Sequence, residues 1–95
     1  MKRGVHFQFC LYVAGDGPNS VQAVANLTAL CDGHLPGRHT VEVVDILKQQ
    51  RRALEDGVML TPLLVKLAPA PVRKIIGTLS LRDPLLQALG LPLTP

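Results

Sequence analysis

The turn at Asp16-Gly17-Pro18-Asn19 is the first place in this sequence where residue types and spacing suggest chemistry. An apolar strand pattern ends just before it, and a helical pattern begins after it. A dithiol oxidoreductase would carry a Cys-x-x-Cys pair around the Gly-Pro at such a helix start, where thiol pKa values are lowered. Here Asp16 and Asn19 occupy the two flanking positions, so the scaffold is present without redox thiols. The turn therefore predicts a binding module rather than an enzyme.

The two cysteines and the nearby histidines are the next candidates for a redox or metal site. Cys10 lies within a strand pattern and Cys31 on the apolar side of a helical pattern, where a free cysteine acts as a small hydrophobe. Cys31, His34 and His39 match no standard spacing for structural zinc. We therefore expect two reduced core thiols, surface histidines and no metal.

The segment Gly15-Asp16-Gly17 could hold a phosphate group on the backbone amides of the following helix. It does not complete the Gly-x-Gly-x-x-Gly pattern and lacks the lysine of a Walker motif. Asp16 would also repel an anion. The segment is predicted to be a structural turn, and no cofactor is expected.

Charge and hydropathy limit the classes of partner. The net charge is +3, and the basic residues occur as separate pairs, Arg51-Arg52 and Arg73-Lys74. The three aromatic residues all fall in one strand pattern, so no stacking surface for nucleic acid is expected. No apolar run approaches the roughly 20 residues that span a bilayer, and no signal peptide is recognisable. We expect a cytoplasmic protein, with a dense core or with apolar surface covered by a partner.

Four strands are predicted from alternation and apolar runs. Residues 5–13 alternate, with Phe7 and Phe9 on one face and Cys10 and Tyr12 on the other. Residues 39–47 read as a buried strand. Residues 63–67 and 72–76 read as a hairpin joined by a proline-rich turn.

Three helices are predicted between and after these strands. Residues 18–32 form the first, with an apolar stripe that includes Val21 and with Gly33 just past its end. Residues 48–57 form a short polar helix with an Arg51–Glu55 pair. The last helix begins after Ser80 or after Asp83.

The predicted order β-α-β-α-β-β-α gives an α/β fold with a mixed sheet. The β-α-β start takes a right-handed crossover, and the hairpin extends the same sheet. This is the thioredoxin topology at minimum size, in which the proline that opens the third strand, here Pro62, usually follows a cis peptide. Residues 1–95 form one domain, and 91–95 are expected to be a loose tail.

Several separate segments, in the same order, resemble the KaiB family of circadian-clock proteins. The similarity extends without an obvious gap from about Leu11 to Leu86. The matching segments are Leu11-Tyr12-Val13-Ala14-Gly15, Pro18-Asn19-Ser20, Val44-Asp45-Ile46-Leu47-Lys48, Thr61-Pro62, Pro71-Val72-Arg73-Lys74-Ile75-Ile76-Gly77 and Leu79-Ser80.

The resemblance implies a non-enzymatic clock component that binds the ring ATPase KaiC. In that family the bound form is thioredoxin-like and sequesters KaiA or displaces a related histidine-kinase domain. An alternative ground state keeps the first half and rebuilds the second as β-α-α-β, giving β-α-β-β-α-α-β overall and usually forming tetramers. Two folds of one sequence differ by only a few kcal/mol. Self-association as a dimer or tetramer is thus expected.

The resemblance also selects candidate partner-binding residues around the second strand and second helix. These are Asp45, Lys48, Arg51, Arg52, Glu55 and Asp56. Without the resemblance, this charged segment would be read as a solvated face. Arg73 and Lys74 are added as candidates, although charges on an edge strand also discourage aggregation.

The fold-switch region is predicted at Pro62, Pro69, Pro71, Gly77 and Thr78. Thr78 is a departure from the family, because clock KaiB proteins usually carry Asp there. Two other departures are Gln22, where Arg is frequent, and a short C-terminal extension without acidic residues. The other functional classes considered are a stress-linked adaptor of a histidine kinase and a thioredoxin-like redox protein.

Overall fold

A computed structural model describes residues 4–93 and places four strands in one mixed sheet. The elements in chain order are β1 (Phe7–Val13), α1 (Pro18–His34), β2 (His39–Asp45), α2 (Gln50–Glu55), β3 (Leu63–Ala68), β4 (Arg73–Ile76) and α3 (Arg82–Leu89). The strand order is β2-β1-β3-β4, with β1 and β2 parallel and the other neighbouring strands antiparallel. The predicted thioredoxin-like arrangement is confirmed, and the structure does not take the alternative order.

The larger core lies on the sheet face that α1 and α3 cover. The alternation of β1 directs Phe7, Phe9, Leu11 and Val13 into it. The helices contribute fully buried side chains, among them Leu27 of α1 and Leu86 and Leu89 of α3.

A smaller core lies on the opposite face, beneath α2. Cys10 and Tyr12 of β1 pack there with Val44, Leu63 and Val65. Because α2 has only six residues, it covers only part of this face. Both faces of β1 are therefore buried, as expected for a central strand.

The second strand differs from its prediction. Residues 39–47 were expected to be a buried strand, but β2 ends at Asp45 and lies at the edge of the sheet. Its Val43 is 45% exposed, and Val21 of the predicted apolar stripe in α1 is 58% exposed. The apolar pattern alone does not distinguish a central strand from an edge strand that a partner could cover.

Two helix ends also differ. Gly33 lies inside α1, because the helix continues to His34 and is closed by a hydrogen bond from the Leu35 N–H to the Cys31 carbonyl. The last helix begins at Arg82 with Leu81 as its N-cap, rather than after Ser80 or Asp83. Pro84 fits in the first turn because N–H groups there have no intrahelical acceptor.

The segments around these elements complete the description. The Thr61–Pro62 peptide is cis, as expected from the topology, and so are the peptides before Pro69 and Pro71. Leu91, in the predicted tail 91–95, packs against the larger core, and residues 94 and 95 lie outside the described residues. Within residues 4–93, no helix has the length and apolar character needed to cross a membrane.

Candidate functional site

Arg52 of α2 is the centre of a polar cluster on the side of the sheet that α2 covers. Its Nη1 and Nη2 donate to Glu42 Oε2 and Oε1 of β2 at 2.6 and 2.8 Å. Its Nε donates to Asp56 Oδ2 at 3.4 Å. The bidentate contact lowers the pKa of Glu42 by hydrogen bonding to its charged form. Arg52 thereby connects the short helix to the edge strand.

Tyr12 and Cys10 of β1 form the floor of this cluster. The Tyr12 hydroxyl donates to Asp56 Oδ2 at 2.7 Å, and Arg52 Nη2 donates to Cys10 Sγ at 3.9 Å. Burial is the main cause that raises the pKa of Tyr12 and the pKa of Cys10. Both side chains are therefore neutral at pH 7. We call Cys10, Tyr12, Glu42, Arg52 and Asp56 the α2 cluster; it positions α2 rather than performing acid–base chemistry.

Asp45 ends β2 and acts within a turn. Its Oδ1 accepts hydrogen bonds from the Gly15 N–H and the Leu47 N–H, each at 3.0 Å. These two bonds are the main cause that lowers the pKa of Asp45. The carboxylate thus joins the β1–α1 turn to the end of β2.

The outward side of α2 and the turn before it carry side chains without such partners among the described residues. Lys48, Arg51 and Glu55 are exposed, and Leu54 between them is 83% exposed. The predicted Arg51–Glu55 ion pair is wrong: within residues 4–93, the ion pairs of this helix are those of Arg52. We call Lys48, Arg51, Leu54 and Glu55 the α2 surface.

The structure separates Arg73 from Lys74. Arg73 is opposite Lys66 in the β3–β4 ladder, whereas Lys74 is opposite Val65. Since opposite residues share a face, Lys74 lies on the side of α2 and Arg73 on the side of α1 and α3. The two basic residues do not form one patch.

The residues predicted for the fold-switch region surround the β3–β4 hairpin. Gly77 has φ +118° and donates its N–H to the Pro62 carbonyl at 2.9 Å. The Thr78 carbonyl accepts a bond from Asn26 Nδ2 of α1 at 2.8 Å. Pro69 and Pro71 lie in the connection between β3 and β4.

The thiol and metal candidates are not assembled into a reactive site. Asp16 and Asn19 are exposed at the start of α1, while Cys10 and Cys31 are free and buried. Burial raises the pKa of the Cys31 thiol to about 11. No three His, Cys, Asp or Glu side chains within residues 4–93 come together as metal ligands would.

Sequence reasoning did not identify Tyr12 and Glu42 as parts of the cluster. Alternation places Tyr12 and Cys10 on one face of β1, and the β1–β2 register sets Cys10 beside Glu42. A comparison of polar residues on the two paired strands would have indicated both.

Comparison with known proteins gives the family context. The model of the KaiB domain family matches residues 10–91. The "Circadian clock oscillator protein KaiB" of a Cyanothece species is 46% identical over 81 residues, covering 85% of this chain and 77% of that protein. The protein of the same name from Prochlorococcus marinus is 44% identical over 81 residues, with the same two coverages.

Solved structures support the fold. The N-terminal domain of Synechococcus elongatus SasA aligns with a TM-score of 0.71 at 19% identity, covering 95% of this chain and 89% of that domain. Mitochondrial thioredoxin 3 of Saccharomyces cerevisiae aligns with a TM-score of 0.67 at 18% identity, covering 92% of this chain and 77% of the thioredoxin chain.

Proposed function

Since the chain belongs to the KaiB family, we propose that it is a non-enzymatic module that docks on a KaiC-type ring ATPase and regulates circadian timing. The observation that carries the proposal is the α2 surface. Its charged and apolar side chains are exposed on α2 and on the turn before it, and the α2 cluster holds this helix against the sheet.

The α2 surface has the chemistry of a docking site. Leu54 offers apolar area, and Lys48, Arg51 and Glu55 around it offer both signs of charge. Such an apolar centre with a polar rim is the usual anatomy of a protein interface. Arg52 and Asp56 support docking by positioning α2, and Asp45 fixes the end of the strand that precedes it. Lys74 lies on the same side of the sheet.

The decisive experiment is co-purification with a KaiC-type ATPase from the same source, with ATP or ADP bound. We expect a complex that depends on the nucleotide. The double variant Arg51→Glu, Lys48→Glu should weaken it by at least about tenfold, because charge reversal at an interface opposes docking.

Asp83→Lys is the control, because it reverses an exposed charge on α3, which packs on the opposite sheet face, and Asp83 makes no side-chain hydrogen bond within residues 4–93. It should bind as the unchanged protein does. Absence of a nucleotide-dependent complex would overturn the proposal. Equal weakening by the α2 and α3 variants would overturn the α2 surface as its site.

The second candidate is a stress-linked adaptor of a histidine kinase. The resemblance to the KaiB family, whose thioredoxin-like form displaces a related histidine-kinase domain, is the reason to consider it, and the present structure has that arrangement. Under this alternative the protein would bind a kinase sensor domain, and no ATPase, in the same co-purification. A KaiA-like protein is a further partner to include. We place the activity in the cytoplasm, with self-association as a dimer or tetramer.

A further inference from the structure

A cavity of about 410 Å³ lies on the side of the sheet that α1 and α3 cover, away from α2. It lies where the end of α3 meets the β3–β4 connection. Its size falls within the range of small-molecule sites. Its walls are mainly apolar and include Phe7, Pro71, Leu89 and Pro92, with Arg38 and Lys66 as the charged lining residues.

Lys66 is the unusual residue of this cavity. It lies in β3 and is only 3% exposed, although lysine is almost never fully buried without a partner. Its Nζ lies 5.9 Å from the centroid of the Phe7 ring. Within residues 4–93, no carboxylate pairs with it and no acceptor hydrogen-bonds to it. None of the enclosed side-chain nitrogens of the described residues lacks a hydrogen-bond partner, so the Lys66 ammonium is reached through the open side of the cavity, where water or a ligand can accept its hydrogen bonds.

The surroundings increase the positive potential. Arg38 lines the same cavity and donates through Nη2 to the His34 carbonyl at 3.3 Å, and its guanidinium also lies against Gly4. Arg73 stands opposite Lys66 in the β3–β4 ladder, and its charge adds to the burial that lowers the pKa of Lys66. Among residues 4–93, no Asp or Glu lines the cavity. An anion would relieve this repulsion.

We propose that this cavity binds a small organic monocarboxylate with an apolar body. The carboxylate accepts hydrogen bonds from Lys66 and Arg38, and the body packs against Phe7, Leu89 and the prolines. Charge-assisted hydrogen bonds of this kind are the strong ones. A single negative charge fits better than an inorganic dianion, because the apolar walls offer no compensation for desolvating a second charge.

The test is an NMR titration of the whole chain with octanoate. We expect chemical-shift changes at the backbone amides of the lining residues and a rise in the melting temperature of the protein. Octanol matches the apolar body without the charge and should bind at least about tenfold more weakly, reflecting the lost charge-assisted bonds. Octylammonium and inorganic phosphate should not bind there. Equal binding of octanoate and octanol, equal binding of phosphate, or no octanoate binding would each overturn the proposal.

Single-residue variants test whether octanoate binds at this cavity. Lys66→Met removes the buried charge while keeping roughly the same side-chain length. It should weaken the binding of octanoate by at least about tenfold. Lys74→Met, the same change on the exposed opposite side of the neighbouring strand, should leave the affinity unchanged. Arg38→Gln gives a second test that does not alter the sheet. Unchanged affinity in both Lys66→Met and Arg38→Gln would overturn the assignment. Recruitment of a peptide C-terminus in preference to octanoate would also overturn it.

Discussion

Asp45 illustrates how a residue chosen as a partner-binding candidate can have a structural function. Its carboxylate accepts bonds from the N–H groups of Gly15 and Leu47, which holds the end of β2 beside the β1–α1 turn. These bonds favour the charged form, so the pKa of Asp45 is lower in the folded protein than in the unfolded chain.

This difference predicts a contribution to acid stability. Because the folded pKa is depressed, the stabilisation is complete above the unfolded value of about 3.9 and is lost as the pH falls through the folded pKa. Asp45→Asn should reduce the pH dependence of the free energy of unfolding in this acidic window. Urea denaturation between about pH 6 and pH 2 measures it.

Glu42→Gln is the companion variant, because the pKa of Glu42 is lowered as well and contributes with the same sign. The two variants together should flatten the profile more than either alone. An unchanged profile in Asp45→Asn would contradict the structural function assigned to that carboxylate.

The two thiols give a second prediction at the scale of residues. Burial raises the pKa of Cys31 to about 11, and it also raises the pKa of Cys10. A disulfide-exchange reagent at about pH 8 should modify Cys31 about 10²-fold more slowly in the folded protein than in the unfolded chain, and should modify Cys10 more slowly as well, since the thiolate is the reactive form.

When the reagent releases a coloured thiolate, the rise in absorbance measures the modification rate of the folded protein and that of the unfolded chain. Rapid modification of the folded protein, or reduction of insulin disulfides, would favour the thioredoxin-like redox class instead. Cys31→Ala then assigns any remaining rate to Cys10.

At the scale of elements, α1 is longer than its sequence indicates because Gly33 does not end it. Gly33 is helical, and a Cβ added there would meet no atom within 4 Å. Gly33→Ala should therefore stabilise the protein, by up to about 1 kcal/mol, because alanine loses less backbone entropy in a helix. Thermal unfolding followed by circular dichroism is the measurement.

Gly90 provides the opposite case at the end of α3. It closes that helix with φ +75°, a conformation that favours glycine. Gly90→Ala should lower the melting temperature while Gly33→Ala raises it. A loss of stability in Gly33→Ala would mean that the helix ends before that residue.

The strand and helix order could be predicted from the sequence, because most elements have an apolar pattern and each has a glycine or proline near at least one of its ends. The edge position of β2 could not, since Val41 and Val43 have the same pattern as residues of a central strand. The ion pairs of α2 were misassigned for a similar reason. Spacing along the helix favoured Arg51 with Glu55, but the fold brings Glu42 beside Arg52 from ten residues earlier in the chain.

At the scale of the whole molecule, the proposed second fold can be tested at Gly77. The thioredoxin-like arrangement needs φ +118° there, which an L side chain adopts only with strain of about 1–3 kcal/mol. Because two folds of one chain differ by a few kcal/mol, Gly77→Ala should shift the population away from this arrangement. NMR spectra of residues in the second half, with light scattering for the oligomeric state, measure the shift.

Gly33→Ala is the control, because α1 belongs to the half that both arrangements are proposed to share. It should leave the ratio of species unchanged. Spectra of Gly77→Ala that retain the β3–β4 pairing, with no second set of signals, would contradict the proposed interconversion.

The side-chain hydrogen bonds between the first half of the chain (β1 to β2) and the second half (α2 to α3) affect the proposed interconversion of the two folds. Those described are between Tyr12 and Asp56, Glu42 and Arg52, Cys10 and Arg52, Asn26 and Thr78, and His34 and Arg82. Each is exposed or only partly buried, so water can replace either partner as the bond opens. The first half meanwhile keeps the Asp45 bonds to Gly15 and Leu47 within itself. The first half of the chain can thus keep its structure during a rearrangement, while water replaces the hydrogen bonds that join it to the second half.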